Sequence, residues 1–159
     1  MATIVKKITP HLWYDTQAVE AANFYVSVFP ESKIIYTKSL PSPHTPTGSF
    51  DIVSFELSGN EFMAISAGPI FKLNESVSFM VYCDSQEEID YYYDTLSAGG
   101  LEQPCGWLKD KYGLSWQIVP SIMDKVMQTD DAEKLNAVLQ VLDTMKKIDL
   151  AKIEAAYKG

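Results

Sequence analysis

The sequence predicts an α+β protein of two βαβββ modules, about residues 4–67 and 76–120, with C-terminal helices over 121–159. Three observations predict it. Period-2 strand patterns and one-sided helical patterns follow one another as strand, helix, strands, and the series then repeats in shorter form. A shift of 68 residues lays Leu12-Trp13-Tyr14 on Met80-Val81-Tyr82, Phe24-Tyr25 on Tyr92-Tyr93, and Val28 on Leu96. Past Pro120 the pattern becomes purely helical, with Leu135, Val138, Leu139, Leu142 and Met145 forming one apolar stripe. Two such modules are expected to pair their sheets around a shared concavity, with the helices outside.

The elements follow in order. Residues 4–14 read as a strand, and Thr16 is placed to cap a helix running to about Phe29, closed by Pro30. Its apolar positions Ala18, Ala21, Ala22, Tyr25 and Val28 share one face. Lys33 to Lys38 is a short strand, and the prolines at 41, 43 and 46 make Leu40 to Gly48 a loop. Ser49 to Leu57 and Glu61 to Ser66 are strands joined through Ser58-Gly59-Asn60. Ala67 to Asn74 is irregular, and Val77 to Cys83 is again a strand. Ser85 caps a helix ending near Ser97, stopped by Gly99-Gly100. Cys105 to Pro120 reads as strand, tight turn at Asp110 to Gly113, and strand. Pro120, lacking an amide donor, ends it. In the tail, Ile148-Asp149-Leu150 opens a last helix with Ile153 and Ala156 on one side.

Composition limits the function classes. A chain of 159 residues can bury one sizeable core, and 47% apolar content argues for a folded protein. There are 13 Lys and no Arg against 21 acidic residues, a net charge of −8, which disfavours nucleic acid and anionic membranes as partners. Cys83 and Cys105 are too few for a disulfide framework and suggest reduced thiols in a cytoplasmic protein. No secretory leader or membrane-length apolar run is expected.

Several segments together resemble a known family: Ile8-Thr9-Pro10-His11-Leu12-Trp13-Tyr14-Asp15, Ala22-Asn23-Phe24-Tyr25, Gly68-Pro69, Ser78-Phe79, Gln86-Glu87-Glu88 and above all Cys105 to Pro120. The chain resembles the PhnB-like group, labelled "3-demethylubiquinone-9 3-methyltransferase", within the vicinal oxygen chelate superfamily of glyoxalases, bleomycin-resistance proteins and dioxygenases. The resemblance implies the paired βαβββ fold. It also implies four metal-ligand positions, one on the first and one on the last strand of each module. Those positions fall on Pro10, Ser66 (or its neighbour Ile65), Ser78 and Gln117. None of these is a good ligand for a divalent metal, so neither a metal nor another cofactor is expected.

A pocket is the alternative to a metal centre. Trp116 and Ile118 should turn to the helix side, so Gln117 should face the concavity and find a partner in Ser66, Ser78 or a ligand. Leu12, Tyr14, Met80 and Tyr82 share that side by alternation, and Trp107 either covers the pocket or packs at its turn. His11 should turn towards the helices as a structural residue, and His44 should sit solvated in its loop. Cys105, with no basic neighbour in sequence, should be a small packing residue, and Cys83 should lie in the core.

Three functions compete. One is metal-independent binding or turnover of a small molecule by a homodimer, with modules exchanged between subunits and the tail either exchanged with them or covering its own domain. Another is the methyltransferase of the family label, although no Gly-rich strand-to-helix loop marks a site for S-adenosylmethionine. The third is sequestration of a cationic drug or metabolite, as in bleomycin resistance, which an acidic surface suits.

Overall fold

The structure, a computed structural model, describes residues 7–159. Positions 4–6 of the expected first strand lie outside the described residues. The chain divides into two compact units between Leu73 and Asn74.

The first unit runs β1 (His11–Tyr14), α1 (Ala18–Val28), β2 (Lys33–Pro41), β3 (Ser49–Leu57) and β4 (Asn60–Ser66). Its sheet has the order β1-β4-β3-β2, with β1 parallel to β4 and the other neighbours antiparallel. Because β2 is an edge strand, it tolerates Pro41 and runs past the expected end at Lys38. The small residues Ala18, Ala21 and Ala22 bring α1 close to the sheet, where Tyr25 stacks on Phe55 and Phe55 on Phe62. Thr16 does not cap this helix. The N-cap is Gln17, which makes no side-chain cap bond, and the first helical amide, Ala18 N–H, donates instead to Ser66 Oγ at 2.9 Å. A hydroxyl from the end of β4 thus does the work expected of a local cap.

The second unit runs β5 (Ser78–Cys83), α2 (Gln86–Ser97), β6 (Leu101–Glu102), β7 (Trp107–Lys109) and β8 (Ser115–Pro120), then α3 (Ile122–Met127), α4 (Ala132–Leu142) and α5 (Leu150–Lys158). Its sheet repeats the first topology, β5-β8-β7-β6, with β5 parallel to β8. Ser85 caps α2 as expected, accepting from Glu88 N–H at 3.2 Å. The turn before β8 is built on buried Asp110. Its carboxylate accepts from Tyr112 N–H, Leu114 N–H and the indole N–H of Trp116.

The tail's stripe packs within its own unit: Val138 of α4 lies with Ile148, Ile153, Met123, Val126 and Val119 in one core, flanked by Leu135, Leu142 and Met145. The Cys105-Gly106 corner anchors it: Cys105 N–H donates to Met145 O at 2.9 Å and Gly106 N–H to Lys146 O at 2.7 Å. Among the described residues no helix is long and apolar enough to cross a membrane.

Candidate functional site

The second sheet has two unlike faces. Leu108, Trp116, Ile118 and Cys83 are buried on the α2 side, where they join Ile89, Tyr93 and Leu96 of that helix. The opposite face is set by register. Lys109 pairs with Ser115, and Ser115 with Ser78, making one row across β7, β8 and β5. The next row is Trp107, Gln117 and Met80, and beyond it Val119 pairs with Tyr82. Rows of this kind hold side chains about 4.5–5.5 Å apart at Cβ. Gln117 Nε2 reaches one row down and donates to Ser78 Oγ at 2.8 Å. Met80 and Tyr82 stay 47% and 52% exposed, large apolar surfaces beside that polar pair.

The expected pocket residues therefore separate into two sets. Ser78, Met80, Tyr82, Trp107 and Gln117 share this open face, and Gln117 found one of its two expected protein partners. Leu12, Tyr14 and Ser66 belong to the first unit and point the other way, onto α1. Leu12 and Tyr14 are buried, the Tyr14 hydroxyl lies 3.1 Å from that of Tyr25, and Ser66 caps the helix. His11, expected on the helix side, is exposed on the face away from α1.

The physical reason is one residue. Tyr14 ends β1 three residues before the cap Gln17, whereas Cys83 ends β5 two residues before Ser85. The helices therefore match at an offset of 68 (Tyr25 to Tyr93), but the strands match at 69 (Tyr14 to Cys83). A slip of one residue in a strand exchanges its faces. With the correct offset, Met80 corresponds to His11 and Tyr82 to Trp13.

The sequence reading missed four polar residues around the first row. Glu75 accepts from Lys109 Nζ at 2.5 Å and from Gln103 Nε2 at 3.2 Å. The Lys109 ammonium is the main cause that holds the Glu75 carboxyl below its ordinary range. Ser115 is wholly buried. Alternation from Trp107 and Gln117 could have found Lys109 and Ser115. Nothing in the sequence signalled Glu75, which lies in a segment without regular structure. Cys105 takes φ +60° at the tail anchor. Burial, then the neighbouring Asp143, pushes its thiol up, the opposite of an activated nucleophile. His44 is exposed in the β2–β3 loop.

A divalent metal does not fit the four positions the resemblance marks. Pro10 offers only its carbonyl, which accepts from Met63 N–H at 2.9 Å. Ser66 Oγ takes Ala18 N–H, and Ser78 Oγ takes Gln117. Among the described residues, no three His, Cys, Asp or Glu side chains gather as a metal site. A separate cavity of about 230 Å³ lies in the first unit beside Asp15, Thr47, Asp51 and Ser66. Neither strand-to-helix junction, Asp15-Thr16-Gln17 or Asp84-Ser85, contains the glycines of a nucleotide-type loop.

Comparison with known proteins accords with this architecture. Residues 6–119 match the model of the 3-demethylubiquinone-9 3-methyltransferase family. A putative 3-demethylubiquinone-9 3-methyltransferase, PhnB protein, from Bacillus cereus is 32% identical, with a TM-score of 0.66 over 73% of this chain and 100% of that one. A Pseudomonas aeruginosa protein is 19% identical, with a TM-score of 0.57 over 73% of this chain and 98% of that one. The fosfomycin resistance protein FosX from Listeria monocytogenes, solved with Mn(II) and sulfate, is 14% identical, with a TM-score of 0.51 over 73% and 92%. These last two likenesses concern the fold. No protein of curated function matches. The chain belongs to the 3-demethylubiquinone-9 3-methyltransferase family, with a fold like that of the Bacillus cereus PhnB protein.

Proposed function

We propose that the open face of the second sheet is a small-molecule site that works without a divalent metal. One observation carries this reading: the Gln117–Ser78 pair is set among Trp107, Met80 and Tyr82, the last two about half exposed. An apolar bed with few convergent polar groups suits a small organic ligand, which the amide orients and the aromatic rings cover. The pair also supplies hydrogen-bond groups where metal enzymes of this fold would need ligands. The family label names a methyl transfer, but the loop chemistry gives that reading no support. The proposal includes a homodimer, consistent with exposed Phe71 and Val77, and a reducing, cytoplasmic setting, consistent with two unbridged cysteines. Light scattering at micromolar concentration reads the first; a monomer overturns it.

The site itself is tested with Nile red, a neutral apolar dye. We expect saturable binding by EDTA-treated protein, weakened at least about tenfold by Met80→Ser with Tyr82→Ser, since two large apolar contacts are worth roughly 1.5–3 kcal/mol each when fully buried. Dye binding that ignores these substitutions, or that requires added metal, overturns the reading.

A further inference from the structure

Among the described residues, just two buried side-chain polar atoms have no hydrogen-bond partner: Gln103 Oε1 and Ser115 Oγ. Both lie at one edge of the open face. Ser115 stands between Lys109 and Ser78 in the first row, and Gln103 shares the Glu75 carboxylate with Lys109. Buried polar atoms are nearly always paired, by protein, water or ligand. Two orphans gathered around Lys109, one by strand register and one through the shared Glu75 oxygen, form an incomplete polar site.

The partners already present suggest what completes it. Lys109 Nζ and Gln103 Nε2 converge on one oxygen, Glu75 Oε1. Two donors aimed at a single carboxylate oxygen make a carboxylate receptor. Glu75 itself is only loosely committed to that place. Its side chain is 45% exposed, it belongs to neither strand nor helix, and an exposed ion pair is held weakly. The orphaned atoms are oxygens: Gln103 Oε1 can only accept, whereas the Ser115 hydroxyl can donate as well as accept. A ligand that uses the whole site therefore brings a carboxylate for the donors and an adjacent hydroxyl, which donates to one orphan and accepts from the other.

We propose that Lys109, Gln103 and Ser115 form the polar end of the site and receive a small 2-hydroxy carboxylate, with Glu75 as an internal stand-in that the ligand displaces. The ligand carboxylate takes the two donors from Glu75, while its hydroxyl donates to Gln103 Oε1 and accepts from the Ser115 hydroxyl. The rest of the molecule extends towards Trp107, Met80 and Tyr82. No bond is made or broken. The inference rests on the reading of this face as a ligand site, but it uses different residues.

The experiment is a titration with lactate, followed through the side-chain amide resonances of Gln103 in 15N-labelled protein. Propanoate, which lacks the hydroxyl, and methyl lactate, which lacks the charge, are the controls. We expect saturable shifts with lactate, at least tenfold tighter in Glu75→Ala because the stand-in is gone. Both controls should bind at least tenfold more weakly, and Lys109→Met should abolish the response while retaining a cooperative thermal transition. If Lys109→Met does not fold, the lactate-to-propanoate ratio in Glu75→Ala decides alone. Equal response to lactate and propanoate means simple anion attraction and overturns the proposal. So does an absent response in Glu75→Ala, which leaves the orphans to water. Nile red titration of the same variants reads the apolar rows separately, so dye binding without lactate binding fails this inference and spares the broader reading.

Discussion

Replacing Gly106 by alanine tests how the tail is held to the second sheet. Gly106 has φ +80°, and a Cβ there would lie 2.5 Å from Ile118 O and 2.8 Å from Ile148 Cδ1. The left-handed backbone costs an L-residue about 1–2 kcal/mol. Forcing a methyl group into packed surroundings costs about 1–3 kcal/mol more. The sum is roughly 2–5 kcal/mol, or about 4–20 °C in Tm for a chain of this size. Relief of the clash would pull on Gly106 N–H to Lys146 O and Ile118 N–H to Gly106 O, the bonds that join tail, corner and β8. Gly48→Ala is the control, because Gly48 has φ +73° and nothing within 4 Å of the added carbon. It should lose the backbone term alone. Urea denaturation of both variants separates the terms. If Gly106→Ala costs no more than Gly48→Ala, the close packing of tail against corner is wrong.

Other outcomes follow from buried polar groups. Asp110→Ala removes the acceptor of Trp116 Nε1–H and of two backbone amides, and should cost roughly 2–4 kcal/mol by chemical denaturation, because a buried donor is left unpaired. A cost within about 0.5 kcal/mol, the range of ordinary surface changes, would contradict the turn as described. The Cys83 thiol is pushed up to about 12, first by burial and then by Glu88 and Asp84. In a Cys105→Ser variant, which removes the other thiol, it should resist a disulfide exchange reagent at pH 8 until the protein unfolds; rapid labelling of that native variant would refute this. The unfolded thiol ionises near 9 while the folded one keeps its proton, so Cys83 makes stability neither rise nor fall with pH below that value, and stability is lost as pH rises from there through about 12.

The fold was legible because each signal had a local cause. Ser85 sits three residues before the amide it caps, Gly59 turns the β3–β4 hairpin, and the spacing of Tyr25 and Tyr93 marked both helices as copies of one design. The candidate site was half legible. Alternation along β5 and β8 put Gln117, Ser78, Met80 and Tyr82 on one face, with Trp107 brought in by register. The same logic failed for Leu12, Tyr14 and Ser66, because one extra residue in the β1–α1 connection reverses the face while leaving the helix offset intact. No repeat comparison with a single offset can show that. Thr16 was a reasonable cap by type, but a hydroxyl 48 positions away in sequence took the role. Glu75, Gln103 and the orphaned oxygen of Ser115 emerge only when distant segments meet.

If the second sheet holds a ligand by hydrogen bonding in place of metal coordination, the Gln117 side-chain amide reports on it directly. The measurement is its 15N resonance in EDTA-treated protein, titrated first with Nile red and then with micromolar Mn(II). The dye should shift Gln117 together with the backbone signals of Met80 and Tyr82. Mn(II) should leave them sharp, since Ser78 Oγ and the Gln117 amide are paired with each other and offer no carboxylate or imidazole. Selective paramagnetic broadening of Gln117 and Ser78 by micromolar Mn(II), or dye shifts confined to other parts of the chain, would contradict it.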